Sequence, residues 1–414
     1  MEVQKLTLKN FKSFGNSVIH AGNDIPRLGK MNMLFGYNNS GKSNLLKFIQ
    51  LLFQSKIRRE ALLVDGEKME KIESGIFWKG PISNSPFIFH KNNRELPIEF
   101  DAYIKIGHDE LKATGYSHYK QLSKSYFNGH DYITLYLKGE IRKIDDFETA
   151  EIALIQSKLN SKVIYSLDSK GRPLYFQDGI TGRDNLLKSD GIAFENLLSM
   201  FNDCTLFLDN NRYLSDEPLI QASVDLTPRN YKNWLYQQYI NPKTNKAFEE
   251  LSVFIEKHKI LPQPTDEGIF KNVESISPFT KFKPEFAIIN GNIEVMFKVG
   301  KDRFPLSSFG TGIQQILYIL TTLFVTKAKI VLIEELELNL SPRYQKALFK
   351  ILWALHKEGK IDQVFFTTHS KYFQFRNDFS VYEVSIDDSG KSKASKVDSE
   401  TKREFTRFFA PKLE

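Results

Sequence analysis

Gly36-Tyr37-Asn38-Asn39-Ser40-Gly41-Lys42-Ser43 is the stretch on which the reading of this chain turns. It fits G-x-x-x-x-G-K-[ST], a loop whose backbone N–H groups cradle phosphate oxygens. The flanks fit as well. Lys30-Met31-Asn32-Met33-Leu34-Phe35 reads as a short buried strand. Asn44 to Gln54 carries Leu45, Leu46, Phe48, Ile49, Leu51, Leu52 and Phe53, and reads as a buried helix. Strand, glycine loop and helix together make a phosphate site. The glycines let N–H groups converge, and the helix N-terminus adds partial positive charge. Lys42 then reaches the outer phosphates of a nucleotide, and the Ser43 hydroxyl offers a ligand to Mg²⁺. The plainer alternative is a glycine turn between a strand and a helix.

Composition sets bounds on the rest. A chain of 414 residues is long enough for two or three lobes with their own cores. Its one cysteine, Cys204, excludes an internal disulfide and a multi-cysteine zinc site, and suits a reducing cytoplasm. Met1-Glu2-Val3-Gln4-Lys5 alternates like a strand and not like a secretory leader. No apolar run approaches the roughly 18 residues of a membrane span. Ile313 to Val325 comes nearest, and Gln314, Gln315 and several threonines interrupt it. The expectation is therefore a cytoplasmic protein with no membrane partner. The net charge of +7 is unevenly placed: residues 1–60 hold ten Lys and Arg against three Asp and Glu, and account for all of it. That bias favours phosphate-bearing partners, though a solvated basic face is the plain alternative.

Along the chain, Val3–Phe11, Ser17–His20 and Lys30–Phe35 read as opening strands, with Lys9-Asn10-Phe11-Lys12-Ser13-Phe14 in the first turn. From Leu96 to Phe176 the pattern has period two, with candidate strands Pro97–Ile106, Tyr132–Ile141, Phe147–Lys158, Lys162–Leu167 and Pro173–Phe176. The turn Asp168-Ser169-Lys170-Gly171 separates the last two, and Phe147–Lys158 could instead be helical. Residues 190–260 are mostly helical in pattern, interrupted by the strand Thr205–Leu208 and then Asp209-Asn210-Asn211-Arg212. The aromatic stretch Tyr231–Ile240 reads as a helix-packing face, with base stacking by aromatics beside basic residues as the alternative. A hairpin over Glu285–Ile289 and Ile293–Val299 is joined by Asn290-Gly291-Asn292. The least ordered segment is expected at Asp387–Lys396, which is polar and lysine-rich.

The second informative region is near the carboxyl end. Lys329-Ile330-Val331-Leu332-Ile333-Glu334-Glu335 is an apolar strand ending in two carboxylates, able to hold a metal with its water and to activate that water. Adjacent acids on a strand point to opposite faces, so their joint use requires the chain to begin turning there. Upstream, Phe309-Gly310-Thr311-Gly312-Ile313-Gln314-Gln315 opens an apolar helix and makes a second N-terminus able to bind an anion; the plainer alternative is a capped helix start with Thr311 as the cap. Downstream, Val364-Phe365-Phe366 is a strand delivering Thr367-Thr368-His369-Ser370.

This order of motifs resembles the ABC-type ATPase heads of the RecF/SMC class. Lys9 to Phe14, with Lys12 and Ser13, is similar to that class's opening motif. Thr311-Gly312-Ile313-Gln314 is similar to its signature, Glu334-Glu335 to Walker B, Leu338-Asn339-Leu340 to the D-loop, and His369 to the switch histidine. Ile333-Glu334-Glu335 and Thr367-Thr368-His369-Ser370 most resemble the overcoming-lysogenisation-defect (OLD) family and its stand-alone relatives in phage-defence systems of the Septu and PARIS kind. The chain departs from the usual pattern at Thr311 (commonly serine), Leu336 (commonly proline) and Ser341 (often histidine), and no Q-loop glutamine stands out.

The resemblance implies an α/β fold: a head with a mixed sheet and flanking helices, an antiparallel β subdomain and a helical insertion. The corresponding boundaries are 1–90, 91–190, 191–282 and 283–414. It implies ATP and Mg²⁺ as cofactors. Gly36, Asn38, Asn39, Ser40, Gly41, Lys42, Ser43 and Asn44 would bind nucleotide, with Lys12 and Ser13 beside them. Thr311 and Gly312 would act from a second copy, and Gln314 and Asn339 would also bind nucleotide. Ser43 and Glu334 would serve the metal. Lys42, Glu335 and His369 would be catalytic. The partners implied are a second copy of the chain and a separately encoded nuclease or toxin, with DNA or a phage protein as trigger. Only 45 residues follow His369, fewer than a nuclease domain of the OLD kind needs. A RecF-like DNA-binding ATPase is the alternative from another class, and a non-hydrolysing scaffold is a third.

Overall fold

The structure, a computed structural model, describes residues 1–15, 28–54, 56–58, 62–64, 67–71, 77–79, 96–108, 131–143, 150–159, 162–167, 173–177, 180–181, 204–220, 222–258, 283–299, 302–370, 379–398 and 400. In chain order the strands are β1 (Glu2–Lys9), β2 (Met31–Phe35), β3 (Lys56–Arg58), β4 (Leu62–Val64), β5 (Glu67–Lys71), β6 (Phe77–Lys79), β7 (Ile98–Gly107), β8 (Tyr132–Lys143), β9 (Ala150–Leu159), β10 (Lys162–Leu167), β11 (Pro173–Gln177) and β12 (Ile180–Thr181). They continue with β13 (Thr205–Leu208), β14 (Glu217–Pro218), β15 (Glu285–Ile289), β16 (Asn292–Val299), β17 (Asp302–Pro305), β18 (Ile330–Ile333), β19 (Gln363–Thr367), β20 (Ser380–Ile386) and β21 (Ser392–Lys396). The helices are α1 (Lys42–Gln54), α2 (Tyr231–Ile240), α3 (Asn245–His258), α4 (Thr311–Thr326) and α5 (Pro342–Lys357). The mixture is α/β, as the sequence implies. Among the described residues no helix is long and apolar enough to cross a membrane.

The chain divides into two compact units. The first is formed by Met1–Thr205, Asp362–Thr367 and Phe375–Glu404. In it β2 lies parallel to both β19 and β20, and β21 runs antiparallel to β20. All of β19 is buried, as is most of β2, so both read as near-continuous apolar runs. The same unit holds an antiparallel sheet in the order β1-β7-β8-β9-β10-β11-β12. Its β7 alternates between buried and half-buried along its whole length, which is the period-two signature of a sheet with one covered face. Phe48 of α1 packs edge-on against Phe11 at 5.2 Å and Phe100 of β7 at 5.7 Å, joining helix and sheet through one aromatic cluster. Residues 150–159 form a strand, which settles the choice left open at Phe147–Lys158. The expected strand Ser17–His20 and the turn Asp168–Gly171 lie outside the described residues.

The segment Asp387–Lys396 corrects an expectation. Far from being the least ordered stretch, it is the turn and second strand of a hairpin. Val384 pairs with Ala394 and Ile386 with Ser392, and Asp387 accepts N–H bonds from Ser389 and Lys391, both at 2.9 Å. Its polarity belongs to the turn, while Ser392 and Ala394 are buried. A local composition count cannot see that pairing.

The second unit is built chiefly from Leu206–Ile361 and Thr368–Gln374. Its centre is α4, buried from Gln315 to Phe324. Two of the threonines inside this apolar helix are satisfied locally: Thr321 and Thr326 donate to the carbonyls of Leu317 and Thr322, each at 2.8 Å. The helix stops at Lys327, which is left-handed at φ +54° and whose N–H bonds the Leu323 carbonyl. The aromatics of α2 pack inward as expected: Tyr231 meets Tyr318 of α4 edge-on at 5.1 Å, and Tyr239 lies 5.3 Å from Phe248. The β15–β16 hairpin turns on Asn290 (φ +52°) and Gly291 (φ +80°), the left-handed pair that an Asn-Gly sequence favours. Residues 209–220 and 222–227 correct the helical reading of 190–260. They run as irregular chain and the short strand β14, and the region's two described α-helices come after them.

The buried carboxylate of Glu217 organises that irregular segment. It accepts the N–H groups of Lys232 and Asn233 at 2.8 and 2.9 Å, capping α2 from 15 residues upstream, and also takes the Asn233 amide at 3.1 Å. Burial pushes its carboxyl above the usual range, while these three bonds and Lys232 pull it down. Replacing Glu217 with alanine leaves two buried main-chain donors, the Lys232 and Asn233 N–H groups, unsatisfied. The expected cost is about 2–3 kcal/mol, seen as a lower denaturant midpoint for the transition reported by Trp234 fluorescence. An unchanged midpoint would show that the cap is dispensable.

Candidate functional site

In the first unit the phosphate-type loop leaves β2 and enters α1. Gly36 sits at φ +146°, and a Cβ there would lie 2.1 Å from the Val384 carbonyl oxygen. Gly41 sits at φ +105°, and a Cβ there would lie 2.4 Å from Ser392 Oγ and 2.5 Å from Ser13 Oγ. Both positions therefore need glycine for space as well as for backbone angle. Between them Asn39 is left-handed at φ +63°, which asparagine tolerates. Tyr37, Asn38 and Asn39 are exposed, with Tyr37 at 87%.

Lys42 is only 5% exposed. Its ammonium folds back into its own loop and donates to the carbonyls of Gly36 at 3.0 Å and Tyr37 at 2.8 Å. Ser43 is half-buried on the first turn of α1. The opening turn comes to the same place. Its backbone closes through Asn10 N–H to Gly15 O at 2.7 Å, with Asn10 and Lys12 both left-handed. Ser13 Oγ accepts from the Asn44 amide at 2.8 Å, and Ser13 O accepts from Ser392 N at 2.8 Å. Lys12 Nζ lies 5.6 Å from the Phe11 ring. The structure thus brings Ser13, Gly41 and Asn44 together.

Sequence reasoning missed Ser392. It is fully buried, and its hydroxyl donates to the Ser40 carbonyl at 2.6 Å. The β20–β21 hairpin therefore backs the glycine loop. Only the alternation of buried Ser392 and Ala394 with exposed neighbours carries a trace of this in the sequence.

In the second unit β18 delivers Glu334 and Glu335. Glu334 is 2% exposed, and its N–H bonds the Leu208 carbonyl at 2.9 Å. Glu335 is half-buried and left-handed, at φ +45°. This resolves the problem of adjacent acids. At Glu335 the chain leaves the strand, so the two side chains need not point to opposite faces as neighbours on a strand do. The turn continues through Leu338 N–H to Glu335 O and Leu340 N–H to Glu337 O, both 2.9 Å, with exposed Asn339 left-handed at φ +58°. Gln345 of α5 holds the end of this turn by donating to Leu340 O at 2.8 Å, and its Oε1 accepts the Ser370 hydroxyl. The His369 N–H donates to Glu337 Oε1, so the exposed histidine is tied to the same turn.

At the start of α4, Thr311 is exposed and Gly312 buried. A Cβ on Gly312 would lie 3.0 Å from the Tyr344 ring of α5. The plainer alternative, Thr311 as a side-chain cap, is not what the structure has. Gly310 occupies the cap position with no side-chain bond, and Thr311 is the first helical residue. Gln314 donates to the Phe309 carbonyl at 2.7 Å, which secures the entry of the chain into the helix.

The other residue that sequence reasoning missed is Arg212. It is 1% exposed, and its guanidinium donates to the carbonyls of Asp209, Glu334 and Glu335 and to Gln315 Oε1. Burial pulls its pKa below the ordinary arginine value, while Asp209, Tyr318, Glu337 and Glu335 oppose that shift. The signal available beforehand was a charged residue four positions beyond an apolar strand.

Comparison with known proteins adds a family, two relatives and two solved structures. The family model described as AAA ATPase domain matches residues 1–373. An ATP/GTP phosphatase of Helicobacter pylori (strain ATCC 700392 / 26695) is 23% identical over 379 residues, covering 90% of this chain and 86% of that protein. An uncharacterised protein of Methanocaldococcus jannaschii is 35% identical over 91 residues, 22% of this chain and 10% of that one. Among solved structures, an SMC head bound to the C-terminal winged-helix domain of ScpA has a TM-score of 0.47 at 15% identity, covering 97% of this chain and 99% of that one. An SMC head domain from Thermotoga maritima has 0.43 at 17%, covering 96% and 100%.

The glycine loop yields a graded expectation. Gly36→Ala combines a forbidden backbone angle with a clash against main chain and should cost about 2–4 kcal/mol. Gly291→Ala, at φ +80° with nothing within 4 Å, should cost only about 1 kcal/mol. Thermal melts of the two variants check the order. Equal losses would mean that the loop does not press on Val384.

Proposed function

This chain belongs to the AAA ATPase domain family, and on that premise we propose that it is an ATP-driven association switch. ATP binds at the glycine loop of one copy, and the copies associate through it. Hydrolysis then releases them. The supporting observation is the state of Lys42. A nearly buried ammonium is held inside a loop of left-handed residues by two of the loop's own carbonyls. A phosphate oxygen offers that ammonium a stronger, charge-assisted bond than a carbonyl does.

In this reading Gly36 to Asn44 hold the triphosphate, with Lys12 and Ser13 beside it. Ser43 and Glu334 take the metal; a hydroxyl and a carboxylate are the hard oxygen donors that Mg²⁺ accepts. Bound Mg²⁺ would neutralise charge that develops on the phosphates. Glu335 orients and deprotonates the attacking water, and His369 hydrogen-bonds the outer phosphate. Thr311, Gly312, Gln314 and Asn339 serve the nucleotide of the other copy, because one helix N-terminus cannot surround a triphosphate. Residues 1–90 and 283–414 supply the two halves of the head, with 91–190 and 191–282 as insertions.

The motif resemblance at Ile333-Glu334-Glu335 and Thr367–Ser370 supports a role in phage defence. There the switch controls a separately encoded nuclease or toxin in the cytoplasm. Co-purification with genomic neighbours tests this directly, since an effector should be held or released according to nucleotide state.

A second reading, an ATPase that binds nucleic acid, is favoured by one observation. On the sheet formed by β1, β7, β8 and β9, Lys5 lies over Tyr103 at 5.4 Å, Lys105 over Tyr132 at 4.0 Å and Lys158 over Tyr136 at 5.5 Å. The rings of Tyr103 and Tyr136 are 4.8 Å apart. Lysines interleaved with tyrosines suit phosphates and bases. This reading requires DNA affinity that falls steeply with salt, and no binding at low salt removes it.

Two substitutions test the main proposal. Lys42→Ala should weaken ATP binding by about 10–100-fold, the worth of a charged hydrogen bond. Glu335→Gln should stop turnover and trap the associated pair, seen by light scattering with ATP. A Glu335→Gln chain that stays monomeric in saturating ATP would falsify the switch.

A further inference from the structure

We infer that Arg212 is a positioning residue for this reaction: it sets the Glu334–Glu335 turn and ties it to the first turns of α4 through Gln315. The inference rests on the hydrolase reading of Glu335. Its basis is geometric, and every residue it uses lies in the second unit.

In an extended strand, successive carbonyls point to opposite sides. Here the carbonyls of Glu334 and Glu335 reach one guanidinium, Nη1 to Glu334 O at 2.7 Å and Nη2 to Glu335 O at 2.8 Å. That convergence goes with the left-handed backbone at Glu335 (φ +45°). A glutamate has no intrinsic preference for such a conformation, which persists only when its surroundings over-determine it. The rigid fork of the guanidinium is suited to do so.

The same side chain makes two more bonds. Nη1 also donates to Asp209 O, which fixes the arginine to the chain leaving β13. Nε donates to Gln315 Oε1 at 3.2 Å, and Gln315 is buried in α4 three residues after Gly312. A displacement at the start of α4 therefore reaches the Glu335 backbone through one intervening side chain. In the proposed pair, that end of α4 approaches the other copy's nucleotide. Arg212 accordingly makes the aim of Glu335 depend on how α4 is seated. Lysine cannot substitute, because a point charge on a flexible stem does not hold two carbonyls in fixed directions.

Four variants and two readouts test this. In Arg212→Met, ATP affinity measured with a fluorescent analogue should stay within about threefold, since the glycine loop is untouched. The kcat should fall by roughly 100-fold, as a misplaced catalytic group predicts. Arg212→Lys should recover little of it. Gln315→Met breaks only the link to α4 and should show the same split more weakly, while Gln315→Glu keeps the acceptor and should retain activity. A purely structural role would instead lower kcat only in proportion to the fraction folded. Hydrogen exchange gives the second readout. The Leu338 amide, which bonds Glu335 O, should exchange at least tenfold faster in Gln315→Met and Arg212→Met, with β18 amides unchanged. A folded Arg212→Met with full kcat and wild-type protection at Leu338 overturns the inference. If Arg212→Met does not fold, the same result in Gln315→Met overturns it. A wild-type chain with no ATP turnover sinks the hydrolase reading alone, and exchange at Leu338 still decides whether Arg212 holds the turn.

Discussion

The carboxyl end of a buried strand has to stop being extended before it can present polar groups, and the architecture here depends on how that break is enforced. After β2 the break is made by glycine: Gly36 and Gly41 take angles that other residues avoid, in spaces that no Cβ can enter. After β18 it is made at Glu335, a residue with no such freedom. There the conformation is imposed from outside by a guanidinium 123 residues away in the sequence. The two solutions differ in where their cost sits. A glycine loop costs chain entropy in the unfolded state. A left-handed glutamate costs strain in the folded state and must be held.

This difference explains what could be read from the sequence. The glycine solution is written locally, so the loop, the strand before it and the helix after it follow from residues 30 to 54. The alternation of β7, the Asn-Gly hairpin and the apolar run of β18 are local signals of the same kind. The Glu335 turn is not local. Two adjacent acids after an apolar strand pose the question of how both could serve one site, and the answer lies in Arg212, whose neighbourhood looks like an ordinary polar loop. The same holds for Ser392. Polar composition marks Asp387–Lys396 as loose, yet pairing with β20 buries its serine against the glycine loop. Residues 209–220 and 222–227 depart from the helical pattern for a related reason: the order of this segment comes from Glu217, a contact that local periodicity does not contain.

The backing of the glycine loop has a physical consequence. A loop that binds phosphate through backbone N–H groups works best if those groups are aimed before the ligand arrives, because ordering them on binding costs conformational entropy. Ser392 Oγ on Ser40 O, Val384 O against Gly36 and Ser13 Oγ with Asn44 fix the loop from three sides. Each of these partners comes from a segment distant from the loop or from the adjoining helix. The first unit therefore spends much of its tertiary structure on a stretch of eight residues.

Lys42 and Arg212 are both nearly buried cations satisfied by main-chain carbonyls, and their chemical difference assigns them different work. The lysine ammonium is a compact charge on a flexible stem, and its partners are two carbonyls of a loop it can leave without disturbing any strand. It suits a position where the partner must change when a phosphate enters. The arginine is a planar fork whose four acceptors come from the chain after β13, the end of β18 and α4. It cannot exchange one without disturbing the others, and its charge persists at any accessible pH. One cation is held loosely enough to be handed over, the other tightly enough to keep a strained glutamate in place. Exchanging the two residue types would leave the charge inventory unchanged and remove both properties.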